Sequence, residues 1–488
     1  MINENSPIGR SISQVRSDLS ALTGNSMDLN ITEADLGRAR LCVISAEGML
    51  SSQMLSEMLL QPLNDLGKNK DLTDAEAFDF LTKGSLIAPS SNTVSTYGEL
   101  LEAVYSGFAA VCVRGTGKAA AYGVQGYEKR TVSIPENEQS LGAAQDSFTE
   151  TLRTNISLIR RRLKTPRLRF EIIKAGRLSG TELCLAYISG RVPESILSDL
   201  RRKLGSIRLD TVLDSGYVRP YIDPCYGLSV FSGTLSTERP DQTAVYLNEG
   251  RAAVLIDGSP FVILIPALFA DNFRTMDDSC EKGFYAAFSK LLRYFAFFLA
   301  IGLPGLYAAV VMFHPETLDL KLLLNLAAAE ESTPYPLTVE LLLVMVLFEI
   351  MREAGIRLPK TVGGAVSIVG GLMIGDAAVK SGLISQPLLI VVGITATASF
   401  VLPELYPAVS VLRIVFILAG GLGGLAGIGA ASALLLCDLA AADSFGIEFT
   451  APASPFFPSG LKGLLGRDSF YDYEKKETTA AGYSGDVK

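Results

Sequence analysis

Two kinds of hydrophobic pattern divide the chain near residue 286. Before it, short β-branched runs at 38–45 and 109–115 predict strands, and the segments 50–66 and 97–107 predict helices. After it, longer apolar segments follow one another at 291–313, 337–351, 361–380, 386–403 and 409–437. Because a spanning helix needs about 20 apolar residues, 337–351 is short for a span. The pattern predicts an α/β cytoplasmic region of two small subdomains, followed by an all-α membrane bundle of four to five helices.

The same pattern predicts four domains. A hairpin is expected within 251–269, because Asp257-Gly258 separates two β-branched runs and Pro260 and Pro266 would break a helix. The N terminus lacks the apolar core of a secretory signal, so the first half is expected in the cytoplasm. We expect a first α/β subdomain at 1–130, a second with the closing hairpin at 131–285, a transmembrane helical domain at 286–440 and a polar tail at 441–488.

Composition agrees with a soluble part joined to a membrane part. The 488 residues are 48% hydrophobic and 19% charged, with a mean hydropathy of +0.31. The net charge of −8 argues against nucleic acid as the main partner. His314 is the single histidine, which excludes histidine metal clusters. Because it lies on a membrane segment, it is also a poor candidate for the general base of a Ser/His/Asp triad. No cofactor or metal site is predicted, and the chain is not expected to be an enzyme.

The segment VRGTGKAAAYG contains part of a phosphate-binding loop. That loop requires a glycine where Cys112 stands and a serine or threonine where Ala119 stands. Nucleotide binding at this loop is therefore rejected.

An amphipathic helix is predicted after Ser147 and Glu150, which have the spacing of a capping box. Its last turn is strongly basic. Two interpretations remain open for this basic cluster: a solvated helix end that complements the helix dipole, or contact with anionic lipid or a partner. The cluster consists of Arg160, Arg161, Arg162 and Lys164.

Small residues recur at intervals of four in the third apolar segment, at Gly363, Ser367, Gly371 and Gly375. On a helix they form one stripe that allows close backbone approach, which carries much of the packing between helices in lipid. The stripe could pack within one subunit or around the shared axis of a homo-oligomer. Gly420 and Gly424 give the last apolar segment the same four-residue spacing of small residues.

Charges flank the glycine-rich helix on both sides. They are Glu349, Arg352, Glu353, Arg357 and Lys360 before it, and Asp376 and Lys380 after it. We expect Arg352 to be held by carboxylates on its own helix face, and Asp376 to pair with Lys380. The charges could anchor the helix ends at the membrane interface, or they could be functional because polar groups at membrane depth are costly. Thr395, Thr397 and Ser399 could bond back to their own helix or line a wet path.

Four stretches carry a resemblance to a known family. They are FTETLRTNISLIRRRLKTPRL, STERPDQTAVYLNEGRAAVLIDGSPFVILIPALF, FEIMREAGIRLPKTVGGAVSIVGGLMIGDAAVKSGLIS, and ITATASFVLP with the later SFGIEFTAP. The chain resembles the A subunits of the GerA-type spore germination receptors over most of its length from residue 130. The REAGIRLP stretch is more similar to the nutrient-receptor branch than to the accessory-channel branch.

The resemblance implies a multi-pass protein of the spore inner membrane that forms a ring, expected to be a pentamer, around a gated cation pathway. It also implies a transporter-like B subunit and a lipoprotein C subunit as partners. A ring needs a narrow inner helix, so the glycine stripe could face neighbouring subunits. The opposite face would present a gate that closes by dewetting, formed by Val362, Val366, Val369 and Met373.

Other functions remain open beside the nutrient receptor. The chain could be an accessory germination channel of the same family, a membrane-tethered scaffold or a transport component, although no inverted repeat is found in the membrane region. The basic residues of the tail favour the same side as the N-terminal half. With five segments, that requires 337–351 not to cross completely.

Overall fold

The computed structural model describes residues 2–36, 38–57, 61–62, 65, 72–83, 91–126, 135, 138, 140, 142–225, 227, 229–359 and 375–454. The strands are β1 Leu29–Leu36, β2 Ala39–Ala46, β3 Ser91–Val94, β4 Phe108–Val113, β5 Ala119–Gly123, β6 Leu168–Ala175, β7 Thr181–Ile188, β8 Leu235–Thr237, β9 Ala252–Ile256, β10 Val262–Ile265, β11 Asp443–Ser444 and β12 Ile447–Glu448. The helices are α1 Ile12–Thr23, α2 Ser52–Leu55, α3 Asp74–Lys83, α4 Tyr97–Tyr105, α5 Leu152–Arg162, α6 Glu194–Gly205, α7 Ser215–Ile222, α8 Pro240–Asn248, α9 Asp277–Cys280, α10 Gly283–Phe313, α11 Leu320–Glu331, α12 Leu337–Arg357, α13 Gln386–Phe400 and α14 Tyr406–Ala441.

The N-terminal region contains the same five-stranded antiparallel sheet twice. The strand orders are β1-β2-β4-β5-β3 and β6-β7-β9-β10-β8. Counted from its own first strand, each sheet has the order 1-2-4-5-3, and a helix (α1 or α5) precedes that strand. The structure therefore confirms an α/β region before a helical region, and it adds that the two sheets share one topology.

A hairpin joins the fourth and fifth strands of each sheet. β9 and β10 pair antiparallel around Asp257-Gly258, which confirms the predicted hairpin. The rejected phosphate-loop segment is the corresponding turn between β4 and β5, where Gly115 has a φ of 86°. That backbone conformation favours glycine, so the glycine there serves the turn.

The second hairpin also caps α5. Asp257 Oδ1 accepts from the backbone N–H of Leu152 at 3.1 Å, and the carbonyl of Glu150 accepts from the N–H of Gly258 at 2.8 Å. The predicted Ser147/Glu150 capping box is wrong, because the Ser147 hydroxyl donates instead to the Glu238 carbonyl. The helix is capped by a side chain far away in sequence.

The helical region begins with α10, which, like α14, is long and apolar enough to cross a membrane. α14 is not straight, because Gly424 has a φ of 59° and a ψ of −146°. The chain folds back there, and a Cβ on Gly427 would lie 2.0 Å from the Ala419 carbonyl oxygen. α14 is therefore an antiparallel pair of arms, 406–423 and 425–441, each roughly 26 Å long at about 1.5 Å per residue.

Contacts between helices define the two ends of the bundle. Gly305 of α10 lies against Phe416 of the first arm, and Phe313 lies against Gly424, so α10 and this arm are parallel. α12 runs the opposite way, because Thr338 contacts Gly421 and Glu349 contacts Tyr406. We call the end with Tyr406 the near end and the end with Gly424 the far end.

The start of the predicted polar tail returns to the second sheet. Ile447 and Ala451 are buried in its core, and the Ser444 hydroxyl donates to the Gly233 carbonyl at 2.8 Å. α12 extends from the far end to the near end of the bundle, and the expectation that 337–351 does not cross the membrane completely stays a prediction. The fold-back at Gly424 supplies the additional crossing of the bundle that returns the tail to this side.

Candidate functional site

A charged cluster joins α12 to α14 at the near end. Glu349 accepts from the Tyr406 hydroxyl at 2.7 Å and pairs with Arg352 at 2.9 Å. The Arg352 guanidinium carbon lies 3.9 Å from the Tyr406 ring centroid, and the Ser410 hydroxyl lies 3.4 Å from Glu349 Oε1. Bonds to an ionised carboxylate are roughly twice as strong as neutral ones. These four residues, the near-end cluster, hold α12 against the first arm of α14.

Arg413 lies deeper in the bundle, two turns along α14 from Tyr406, and is 2% exposed. Its Nε donates to the Ala300 carbonyl at 3.1 Å and its Nη2 to the Ser399 hydroxyl at 2.6 Å. Nη1 lies 3.7 Å from the sulfur of Met345. One guanidinium thus joins α14 to α10, α13 and α12.

No salt bridge pairs Arg413 with a carboxylate in the part of the chain that the structure describes. A buried charge costs free energy unless it is paired and hydrogen-bonded. A carbonyl, a hydroxyl and a sulfur atom offset part of that cost at Arg413, and the charge of Glu349 attracts the guanidinium. None of these contacts is a direct ion pair, so burying Arg413 costs the fold free energy. A charged residue that destabilises an apolar bundle is a candidate functional group.

The hydroxyl residues of α13 bond back to their own helix. Thr395, Thr397 and Ser399 donate to the carbonyls of Val391, Gly393 and Thr395 at 2.8–2.9 Å. This is one of the two predicted arrangements. Ser399 additionally accepts from Arg413 and so belongs to the network around that arginine.

The predicted charges form local pairs. Arg352 is held by Glu349 and lies 3.8 Å from Glu353, as predicted. The exposed pairs Glu353–Arg357 and Asp376–Lys380 have separations of 2.7 and 2.6 Å. Lys360 lies outside the described residues, and the interfacial role of the set stays a prediction.

Most of the predicted pore helix lies outside the described residues, including the glycine-stripe residues Gly363, Ser367 and Gly371 and the gate residues Val362, Val366, Val369 and Met373. Gly375 is described, and a Cβ there would lie 3.6 Å from Leu389, an ordinary contact distance. Within the described residues, close backbone approach occurs at Gly305 and Gly420, where a Cβ on Gly420 would lie 2.1 Å from the Gly305 carbonyl oxygen.

The basic cluster of α5 does not form one surface. Arg160 is 1% exposed and pairs with Asp28 at 2.7 Å, so its predicted contact with lipid or a partner is corrected to an internal role. Arg162 pairs with Asp146 at 2.5 Å, and Lys164 donates to the Ser106 hydroxyl at 3.3 Å. Arg161 is exposed. The helix is amphipathic, and Arg160 lies on its buried face.

The near end is also joined to the second sheet. Asp438, in the last turn of α14, accepts from the Ser229 hydroxyl at 2.8 Å. Phe449 packs among Phe231, Phe269 and Phe297, which belong to the sheet domain and to α10. A displacement of α14 would therefore be transmitted to the α/β region.

Sequence reasoning missed Arg413, Tyr406 and the second arm of α14. The arginine was visible as one charge within the apolar segment 409–437. The partners of Arg413 could not be identified from the sequence, because they come from three other helices. Within the described ranges, no three His, Cys, Asp or Glu side chains come together in a way that could hold a metal ion.

Comparisons with known proteins agree on one family. A family model described as Bacillus/Clostridium GerA spore germination protein matches residues 17–479. Spore germination protein KA of Bacillus subtilis is 35% identical over 93% of this chain and 84% of its own length. The membrane protein YfkQ of Bacillus subtilis is 31% identical over 98% of this chain and 93% of its own length. The N-terminal domain of the A subunit of the Bacillus megaterium spore germinant receptor GerK3 is similar, with a TM-score of 0.43 and 29% identity over 55% of this chain and 99% of that one.

Proposed function

The chain belongs to the GerA family of spore germination proteins, and we propose that it is the A subunit of a nutrient-responsive germination receptor that opens a cation pathway in a membrane. The observation that carries this proposal is Arg413, which is 2% exposed inside an apolar helical bundle, together with the partly buried charges of Glu349 and Arg352 at the near end of that bundle. Such groups reduce the stability of the bundle, so their presence is best explained by a moving or conducting element.

Exposed side chains support a membrane location for the bundle. One face of α10 carries large apolar residues that no other part of the described chain covers, namely Phe284, Phe288, Leu291, Phe295 and Phe298. Exposed apolar surface of this extent is typical of a membrane-facing or subunit-facing surface. We place the bundle in the spore inner membrane and the α/β region in the cytoplasm.

The proposal includes partners and an oligomer. In it, several copies, expected to be five, surround the pathway, and the chain works with a transporter-like B subunit and a lipoprotein C subunit. The glycine stripe from Gly363 to Gly375 would pack between copies, and Val362, Val366, Val369 and Met373 would form the gate. The near-end cluster adjoins this segment, since α12 ends at Arg357.

The test is potassium efflux from cells that express the chain with its B and C partners, before and after addition of mixed amino acids and sugars. Efflux is expected only with nutrient. Gly371→Leu should abolish it, because a bulky side chain prevents close approach of helices. Val362→Ala or Val366→Ala should leak ions without nutrient. The smaller side chain widens the apolar constriction, and a wider constriction is easier to wet.

The outcomes separate the function classes. A complex that assembles and shows no efflux would contradict the channel and favour a scaffold. Flux that saturates and follows one nutrient would favour a transport component. Efflux that responds to another receptor and not directly to nutrient would favour the accessory-channel role.

A further inference from the structure

Two carboxylates meet at the far end of the bundle, away from the near-end cluster. Glu340 lies in the first turn of α12 and is 1% exposed. Glu330 lies in the last turn of α11. Both contact Ser385 at the start of α13: its backbone N–H donates to Glu340 Oε1, and its hydroxyl donates to Glu330 Oε1 at 3.1 Å.

The second oxygen of Glu340 is buried, and no group among the described residues hydrogen-bonds to it. The Tyr307 hydroxyl, from α10, is also buried without a partner. Tyr307 packs against the apolar cluster that contains Leu337, Leu341 and Ile384, and these three residues flank Glu340 and Ser385 in sequence. Its hydroxyl is close enough to Glu330 and Glu340 to interact with both carboxylates electrostatically.

No basic side chain neutralises this group among the residues that the structure describes: no salt bridge there involves Glu330 or Glu340. The first turn of α12 supplies a partial positive charge of about half a unit, which is less than a carboxylate requires. A buried carboxylate with one free oxygen costs free energy until a positive charge neutralises it.

We propose that Glu340 Oε2, the Tyr307 hydroxyl and Glu330 bind a partly hydrated monovalent cation of the alkali class, K⁺ or Na⁺. The ligand types are carboxylate and hydroxyl oxygens, which suit hard cations. A divalent ion would need six or more oxygen ligands or nearly ideal octahedral geometry.

The site lies where α10, α11, α12 and α13 meet, so the bound cation would hold four helices together. The site is inferred from the buried oxygens that lack hydrogen-bond partners, and this inference does not depend on the proposed channel. Only its use as an entry or resting position on a conduction pathway rests on the proposed function.

The first experiment measures thermal unfolding of the purified full-length chain in detergent, with KCl or NaCl replacing choline chloride at constant ionic strength. A saturable rise in the unfolding midpoint is expected for one of the alkali cations, since a ligand bound to the native state stabilises it. Equilibrium dialysis with thallium(I), a surrogate for K⁺, should show saturable binding to the same protein.

Glu340→Gln should weaken the apparent affinity about tenfold or more, because it removes a charged ligand of the cation. Glu331→Gln is the matched control, because Glu331 is the exposed neighbour of Glu330 on the same helix and should leave the affinity unchanged. Tyr307→Phe keeps both carboxylates and should weaken cation binding several-fold. This variant tests the site if the Glu340→Gln protein does not fold.

An unfolding midpoint that rises equally in choline, or thallium binding that is unchanged in both Glu340→Gln and Tyr307→Phe, overturns the site. Either result would assign a bridging water to the orphaned oxygens. Binding by the isolated chain together with absent efflux from the assembled receptor would contradict the channel and leave the site standing.

Discussion

Asp28 and Arg160 form an ion pair in which each side chain is 1% exposed, with Nε and Oδ2 separated by 2.7 Å. Asp28 precedes the first strand of the first sheet, and Arg160 lies on the helix before the second sheet. Arg160 also donates to the carbonyls of Thr165 and Leu168 and lies 4.1 Å from the Tyr105 ring centroid. One fully bonded guanidinium therefore fixes the two α/β repeats to each other.

Arg160→Met should destabilise the protein by about 3–5 kcal/mol, because it leaves Asp28 buried without its charge partner. Urea unfolding of the full-length chain in detergent, followed by circular dichroism, measures the change. Arg161→Met, on the exposed face, should change stability by less than about 0.5 kcal/mol. Adding Asp28→Asn to Arg160→Met should recover part of the loss, and no recovery would argue against the pair as its cause.

Glu349→Gln and Tyr406→Phe should not be additive. Their side chains share one hydrogen bond, so the second substitution removes little that the first has left. The expected coupling is about 0.5–3 kcal/mol in a double-mutant cycle of unfolding free energies. The cycle of Glu349→Gln with Glu316→Gln, a carboxylate remote from the near end, should give a coupling near zero. Additive effects in the first cycle would show that the cluster is not a unit.

Gly305→Ala should destabilise the crossing of α10 and α14 by about 1–3 kcal/mol or more, since overpacking forces the backbones apart. The new Cβ would lie 2.2 Å from the Phe416 carbonyl oxygen. Gly302→Ala, one turn away on the same helix, meets nothing within 4 Å and should be neutral or slightly stabilising. Thermal unfolding of both variants in detergent tests the close approach, and equal midpoints would contradict it.

Gly424→Ala should destabilise the fold-back of α14 by about 1–3 kcal/mol, because its φ of 59° and ψ of −146° strain any residue with a Cβ. The Cβ would also approach Phe313 to 3.0 Å. Gly429→Ala in the second arm has open space and is the control. Limited proteolysis of residues 443–451 provides a second measurement, since a straightened α14 would release them from the second sheet. Unchanged protection in a stable Gly424→Ala protein would rule out the fold-back.

The carboxyl of Glu138 should make the α/β region less stable as pH rises. Burial raises its pKa from 4.5 to about 8, against the hydrogen bond from the Thr237 hydroxyl at 2.7 Å. Below about pH 4.5 both states are protonated and its contribution is complete. Between the two pKa values the unfolded state has lost the proton that the folded state retains, so the contribution is lost as pH rises through 8.

Urea unfolding at pH 5 and pH 8 measures this effect. Glu138→Gln should remove part of the decline, whereas Glu102→Gln, an exposed carboxylate, should leave it unchanged. An equal decline in the wild-type and Glu138→Gln proteins would show that this carboxyl ionises normally.

The elements that sequence patterns predicted best are local. The strands near 38–45 and 109–115, the helix at 97–107 and the Asp257-Gly258 hairpin all occur close to their predicted bounds. Pairs four residues apart, such as Asp376 and Lys380, were predictable for the same reason. Periodicity, turn residues and helical spacing act over a few residues, so the sequence contains them directly.

The sequence by itself determined the division into an α/β region and an apolar helical region, because the spacing of hydrophobic residues shows which faces of each element must be removed from water. Only the tertiary structure decided that Arg160 is buried, that α14 reverses at Gly424 and that one oxygen of Glu340 has no hydrogen bond among the described residues. Arg160 looked like a surface cation because its partner Asp28 is more than a hundred residues away. Whether a polar side chain is buried depends on the hydrogen-bond and charge partners that folding brings to it, and those partners are distant in the chain.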